Sequence, residues 1–239
     1  MAYYDKFAKQ WHRATAYKGG AFKEHVLNDV LLQKITSIKN CSILELGAGN
    51  GYFMPLVMRY FSGQAPSSII VTDESLELLK IAQKSFSIPE AQYQLLDICG
   101  PFPFDNNRFH IILAIMVLNE IPPKGFKNAL QECHRTLCDE GILLIAVTHP
   151  DFVNSLQKRG LLKRTTGNTL TMPGSGSLRL PVIVRPREIY QKSLEEIGFQ
   201  YEEDDVYPTD KVLKEKSGLR NIGRVPLALV FSCYKSVLH

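Results

Sequence analysis

Residues 42–53 read Ser42-Ile43-Leu44-Glu45-Leu46-Gly47-Ala48-Gly49-Asn50-Gly51-Tyr52-Phe53. Ile43 to Leu46 is a short apolar run carrying one carboxylate, the pattern of a buried strand. Three glycines at alternate positions follow, and an apolar segment from Tyr52 to Phe61 continues at helical spacing. Strand, glycine loop and helix form the opening unit of a doubly wound sheet, where ligands bind at the carboxyl ends of strands. Glycine is needed where backbone turns with positive φ or lies directly against a ligand. The dinucleotide fingerprint G-x-G-x-x-G is met at Gly47 and Gly49, but its third glycine is replaced by Tyr52, and Gly51 comes one place early. No Lys-Ser or Lys-Thr pair follows, so the loop is not a P-loop. Glu45, two residues before the first glycine, would repel a pyrophosphate and suits a ligand bearing an ammonium group.

The stretch Glu45-Leu46-Gly47-Ala48-Gly49-Asn50-Gly51 resembles the first motif of the class I S-adenosylmethionine (SAM) methyltransferases. In that family the loop passes the amino-acid end of SAM. The resemblance covers residues 40–150 well and 186–235 loosely. It implies a single α/β domain over residues 1–239, with a doubly wound, seven-stranded, mostly parallel sheet of the Rossmann-like methyltransferase kind. It implies SAM as cofactor, met by Glu45, Gly47, Ala48, Gly49 and Gly51. Ser68 to Thr72 is β-rich and ends at Asp73, where the family has an acid that accepts from both ribose hydroxyls; Glu74 stands beside ribose and adenine. NAD enzymes use a similar acid, so Asp73 alone does not discriminate. Gln92 to Ile98 reads as the third strand, and Asp97 resembles the acid that meets the adenine amino group, with Ile98 beside it. The fourth strand runs from Phe109 to Val117 and carries Ala114 among the implied cofactor positions.

Other elements fall around this frame. Residues 1–40 read as a helical cover, with apolar positions 27, 30, 31, 32 and 35 at helical spacing. Ser75 is placed to cap a helix from Leu76 to Phe86. Lys124 to Leu137 reads as a helix, followed by a glycine turn at Gly141 into a fifth strand ending near Thr148. Leu227 to Tyr234 reads as the last strand, which the family order places antiparallel between the fifth and sixth. Residues 151–186 are too long for a plain connection and read as an inserted cap over the acceptor pocket. Lys158, Arg159, Lys163, Arg164, Arg179 and Arg185 lie in it. They either favour an anionic acceptor or form a solvated cap surface.

Methyl transfer is an in-line displacement, and a base is needed only when the nucleophile starts protonated. The candidates are His149 at a strand's carboxyl end, Glu120 after the fourth strand, and His12 in the amino-terminal segment, with His149 favoured. Tyr4, Trp11, Asn119 and Arg179 are candidate acceptor contacts. An Asn-Pro-Pro-Tyr signature for base or glutamine methylation is absent, and the net charge of +4 is too mild for the concentrated footprint of a nucleic-acid binder. The five cysteines include no C-x-x-C pair, which predicts no zinc site and fits a reducing cytoplasm. No run approaches 18 apolar residues and Met1 to Trp11 lacks a signal-peptide core, so no membrane partner is expected. The reading is an enzyme, a SAM-dependent methyltransferase acting on O, N or C of a small-molecule acceptor. Its rivals are a protein or RNA methyltransferase, a non-catalytic SAM-binding module, and a nicotinamide-dependent oxidoreductase.

Overall fold

The computed structural model describes residues 2–15, 19–20, 22–35, 41–61, 66–88, 91–165, 169–173, 179–215 and 225–235. A 3-10 turn at Tyr3–Lys6 leads into α1 (Ala8–Thr15), and a π-helical turn at Lys23–Leu27 runs on into α2 (Asn28–Lys34). Then come β1 (Ser42–Leu46), α3 (Met54–Tyr60), β2 (Ser68–Asp73), α4 (Leu76–Ser85), β3 (Ala91–Leu95) and β4 (Phe109–Ile115). They are followed by α5 (Pro123–Thr136), β5 (Leu137–Thr148), α6 (Pro150–Lys158), β6 (Lys163–Arg164), β7 (Thr169–Pro173) and β8 (Arg179–Ile183). The chain continues through α7 (Arg187–Ile197), β9 (Phe199–Val206), α8 (Asp210–Glu215) and β10 (Ala228–Lys235).

Seven strands form one sheet in the order β3-β2-β1-β4-β5-β10-β9. Strands β1 to β5 pair in parallel, and β10 lies antiparallel between β5 and β9. This is the doubly wound architecture anticipated from the glycine loop. Period-two alternation sends Leu44, Ile112, Ile145 and Phe231 to one face, under α5 and α7. Ile43, Ile111, Leu144 and Val230 face the other way, under α2 and α3. Both faces are covered, which is why the central strands read as continuous apolar runs. The strand order reverses between β1 and β4, and a crevice opens there at the carboxyl ends.

Some boundaries differ from the sequence reading. β3 stops at Leu95, so Leu96, Asp97 and Ile98 belong to the loop beyond it; Leu96 N–H still donates to the Asp73 carbonyl at 3.0 Å. β5 starts at Leu137 directly after α5, and Gly141 lies inside the strand instead of in a turn. The register against β4 slips between Phe109 and Ile111, and this bulge absorbs the extra residues. Ser75 caps α4 as expected, its Oγ accepting from Leu78 N–H at 3.2 Å. Residues 151–186 contribute α6 and a separate three-stranded sheet, β6-β7-β8. The Gly174–Ser177 stretch of that segment lies outside the described residues.

The glycine loop sits where three elements converge. Gly51 has φ +77, and a Cβ there would stand 2.7 Å from Ala82 Cβ and 3.2 Å from Ala82 Cα on α4. Both the backbone conformation and the space demand glycine. Gly51→Ala is expected to destabilise the fold by about 2–4 kcal/mol, read as a lowered denaturation midpoint.

Candidate active site

The crevice holds a cleft of about 1010 Å³. The carboxyl ends of five parallel strands supply its floor: Glu45 and Gly47 after β1, Asp73 and Glu74 after β2, Asp97 and Ile98 beyond β3, Met116 and Val117 after β4, and Thr148 on β5. Among the described residues, five carboxylates line it, at 45, 73, 74, 97 and 120, against one cation, Lys23.

The loop after β1 lies against one flank. Gly47, Ala48 and Gly49 line the cleft, with Ala48 N–H donating to the Thr72 carbonyl at 2.9 Å. Gly47 (φ +60) permits close approach of Val117, whose Cγ2 would stand 2.5 Å from an added Cβ. Gly51 does not line the cleft. It is a packing glycine against α4, so its expected place among the cofactor contacts is corrected. Ala114 is likewise corrected: it is fully buried inside β4, paired with Leu46, and the chain reaches the cleft at the next residue, Ile115.

Glu45 is buried, and its Oε2 has no hydrogen-bond partner among the described residues. Burial pushes its carboxyl up to about 8, a shift that Lys23 opposes and Asp73 reinforces. An orphaned carboxylate oxygen facing a cleft fits a ligand that brings a hydrogen-bonding cation. Asp73 is also buried and is held rigidly: Oδ2 accepts from Gly49 N–H and Oδ1 from Ser75 N–H, both at 2.8 Å. Burial raises its pKa, opposed by those two bonds. Each oxygen keeps a lone pair for a further donor. Asp97 is exposed at the rim, its Oδ1 accepting from Cys99 N–H at 2.9 Å, and Ile98 is buried beside it.

The three candidate bases separate clearly. His149 is buried at the start of α6 and does not line the cleft. Its Nδ1 accepts from Asp151 N–H at 3.0 Å, capping the helix, and its Nε2 lies 3.1 Å from Asp205 Oδ1. Burial lowers its pKa. Both ring nitrogens are spent on structure, so His149 is corrected from base to helix cap. His12 is also outside the cleft; its Nδ1 lies 3.2 Å from Asn50 Nδ2, seating α1 on the glycine loop. Glu120 remains. It lines the cleft and accepts a hydrogen bond from Tyr4 OH at 2.8 Å. Burial pushes it up to about 8, aided by Asp73 and opposed by the Tyr4 bond and Lys23.

Tyr4, Trp11 and Asn119 line the cleft. Tyr4 and Trp11 meet edge to face at 5.5 Å. Asn119 is buried with an unpartnered Oδ1, and its carbonyl accepts from Ile183 N–H at 2.8 Å. Arg179 does not line the cleft. Its guanidinium donates to the Leu161 and Thr171 carbonyls at 3.3 and 3.0 Å, so it holds the small sheet together and is no acceptor contact. Arg185 donates to the Leu118 carbonyl at 2.8 Å and to the Ile121 carbonyl, with its guanidinium 4.6 Å from the Phe126 ring centre. It pins the loop that carries Asn119 and Glu120.

None of the basic residues of 151–186 lines the cleft. That segment presents Phe152, Leu156, Leu161, Met172, Leu180 and Pro181 instead. The sequence reading also passed over Lys23 and Met116. Met116 holds φ +60, an uncommon state for a non-glycine residue that recurs where a site fixes its backbone. A single-sequence pattern carries no signal for either.

Sheet order and glycine loop give the chain the Rossmann-like methyltransferase fold. Residues 43–141 match the family model described as a methyltransferase domain. A SAM-dependent methyltransferase from Mesorhizobium loti shares the fold at TM-score 0.68 and 16% identity, over 90% of this chain and 98% of that one. The DhpI-SAM-HEP complex shares it at TM-score 0.66 and 14% identity, over 97% and 94%. A tRNA N(3)-methylcytidine methyltransferase, Mettl2 of Drosophila melanogaster, is 31% identical over 108 residues, 43% of this chain and 33% of its own. The chain spans between a third and a half of the length of the curated relatives it matches. SAM is the cofactor named for both of these solved structures, the Mesorhizobium loti methyltransferase and the DhpI complex. Among the described residues no helix is long and apolar enough to cross a membrane.

Glu45 carries a stability consequence. Its folded pKa lies above its unfolded value, so the folded state holds the proton longer, and stability drains away as pH rises from about 4.5 to about 8. Glu45→Gln removes that loss. The variant is expected to melt higher than the parent, by a margin that widens between pH 5 and pH 8 in calorimetric scans.

Proposed function

We propose that the chain moves the methyl group of SAM to a small, largely apolar acceptor whose reacting end is neutral or cationic. The observation that carries this reading is the composition of the cleft. Its acceptor side is walled by Phe152, Leu156, Met172 and Leu180, and among the described residues five carboxylates face a single ammonium. An anionic group entering there would lose its hydration and meet like charge. When bound, SAM supplies a methyl group activated on a positively charged sulfur.

The remaining work belongs to side chains of this chain. Glu45 accepts from the ammonium of the cofactor's amino-acid end. Asp73, fixed by Gly49 and Ser75, accepts from the ribose hydroxyls, and Asp97 at the rim accepts from the adenine amino group. Asn119 Oδ1 accepts from the acceptor's nucleophilic N–H or O–H and orients it. Glu120 takes the proton released as the nucleophile attacks, with Tyr4 holding its other lone pairs in place. The apolar walls exclude water, and alignment of the two reactants supplies much of the acceleration.

A second reading has its own support. Lys158, Lys163 and Arg164 are exposed beside Leu161 at the edge of the cleft, and the tRNA-modifying relative matches part of the chain. An RNA acceptor would lay its phosphates on that rim. Calorimetry with S-adenosylhomocysteine and, in parallel, NAD tests the cofactor. Radiolabelled methyl transfer to apolar amines and alcohols, to carboxylates and phosphates, and to tRNA tests the acceptor. Turnover with amines or alcohols supports the first reading. Turnover confined to tRNA replaces it with the second.

Glu120→Gln is expected to lower kcat about 100-fold while leaving S-adenosylhomocysteine affinity unchanged. Because the base form must be ionised, parental activity should rise with pH, pass its half-maximum near pH 8 and level off about one unit above that. A variant that keeps full activity, or a parent whose rate is flat from pH 5 to pH 9, would remove Glu120 as base.

A further inference from the structure

Arg185 does not line the cleft, yet the fold buries it almost completely. It lies in the short link between β8 and α7. A buried guanidinium is costly unless its donors are answered. Among the described residues Arg185 forms no ion pair. Backbone and ring answer it instead. Nη1 donates to the Leu118 carbonyl at 2.8 Å, Nη2 donates to the Ile121 carbonyl, and the guanidinium stands 4.6 Å from the Phe126 ring centre. Phe126 in turn meets Tyr190 of α7 edge to face at 5.3 Å.

The two carbonyls bracket Asn119 and Glu120. The rest of that loop is tied as well. Glu120 N–H donates to the Val117 carbonyl at 3.0 Å, and the Asn119 carbonyl accepts from Ile183 N–H at 2.8 Å. Ile183 is the last residue of β8, and Leu180 and Pro181 of the same strand line the cleft. One stretch of chain, through Ile183 and Arg185, thus fastens the loop bearing Glu120 to the wall that β8 presents. A planar fork reaches two carbonyls at once, which a single ammonium does not match. A stability role alone would be met as well by an apolar side chain of similar size.

We infer that Arg185 is a positioning residue: by holding the Leu118 and Ile121 carbonyls it fixes where Asn119 and Glu120 stand relative to the β8 wall, and so where the acceptor's nucleophile is met. This rests on the roles given to Asn119 and Glu120 in methyl transfer, and it extends the site to a residue that lies outside the cleft. The rival role is a structural tie between α7 and the sheet. Glu120 tells the two apart, because its surroundings change when the loop slackens. Burial acts on it most, and Tyr4, Asp73, Lys23 and Glu74 are the groups that face it. A loop released from Arg185 lets water reach Glu120 and brings its pKa down from about 8.

Trp11, the single tryptophan of the chain, reads that change without any acceptor: it meets Tyr4 edge to face, and Tyr4 OH donates to Glu120. The test titrates tryptophan fluorescence with pH in the parent, E120Q, R185M and R185K, alongside calorimetry with S-adenosylhomocysteine. The parent should show a step near pH 8 that E120Q lacks. R185M should move that step down by about one unit or more while binding S-adenosylhomocysteine within about threefold of the parent. On an acceptor that the parent methylates, R185M should lose about tenfold to a hundredfold in kcat, and R185K should fall between the two. A step that stays in place in R185M overturns the inference, and so does an equal loss of kcat from R185M in the parent and in the E120Q background. Weakened S-adenosylhomocysteine binding in both Arg185 variants overturns it in favour of the structural tie. A parent with no step for E120Q to remove overturns it too, since Glu120 is then not held against Tyr4. Absence of methyl transfer to every acceptor removes the proposed reaction, but the fluorescence step still decides whether Arg185 sets the loop.

Discussion

Two backbone positions admit no side chain, and the cleft is built on them. Gly47 lies under Val117 and Gly51 under Ala82, both with positive φ. One loop is thereby clamped between the segment after β4 and the helix α4. Asp73 completes the clamp by accepting from Gly49 N–H and Ser75 N–H together, so the ends of β1 and β2 move as one body. Everything that meets a ligand is referenced to this loop. α1 docks on it through Asn50, which donates to Thr15 Oγ1 at 3.1 Å. Close packing at glycine is therefore what sets the positions of the charged groups, more than any contact among those groups themselves.

The electrostatic design works against the fold's own stability. Glu45 stands on the same face of the sheet as Ile43, Ile69 and Ile111, where the other side chains are apolar and fully buried. Burial there and at Glu120 raises both carboxyls to about 8. A protein selected only for stability would replace such groups with apolar ones. Their retention at the mouth of parallel strands is the mark of a binding site, because a cation arriving with ligand repays the desolvation already spent. Met116 belongs to the same pattern: its left-handed backbone is locked by Met116 N–H donating to the Ala146 carbonyl at 2.7 Å.

The sheet was legible because its signals are local. β1, the glycine loop, Asp73 and the Ser75 cap each follow from a few adjacent residues, and a doubly wound order follows from repeating them. The acidic side of the cleft was legible for the same reason: Glu45 and Asp73 stand at strand ends that the sequence marks, and Asp97 lies two residues beyond one. The opposite side was not. His149 and Glu120 look alike in a sequence, each a titratable residue just beyond a strand. They differ only in which way the chain turns next. Pro150 starts a helix that spends the His149 ring on its own amino end, whereas the loop after β4 points Glu120 inward under the hold of Arg185. The basic residues of 151–186 misled for a related reason. Charge can be counted along a chain, but the small sheet turns its apolar face to the cleft, and it uses Arg179 to bond its own carbonyls.

The first described turn of the chain joins three walls of the cleft. Tyr3 OH donates to the Arg179 carbonyl at 2.7 Å, Tyr4 OH to Glu120 at 2.8 Å, and Asp5 accepts from Ser75 Oγ at 2.7 Å. The glycine-loop side and the small-sheet side of the cleft thus share a single strap, and entry past either one draws on the same local unfastening. Opening also withdraws Tyr4 from Glu120. Glu120 keeps the hydrogen bond that opposes its raised pKa only while the strap is fastened.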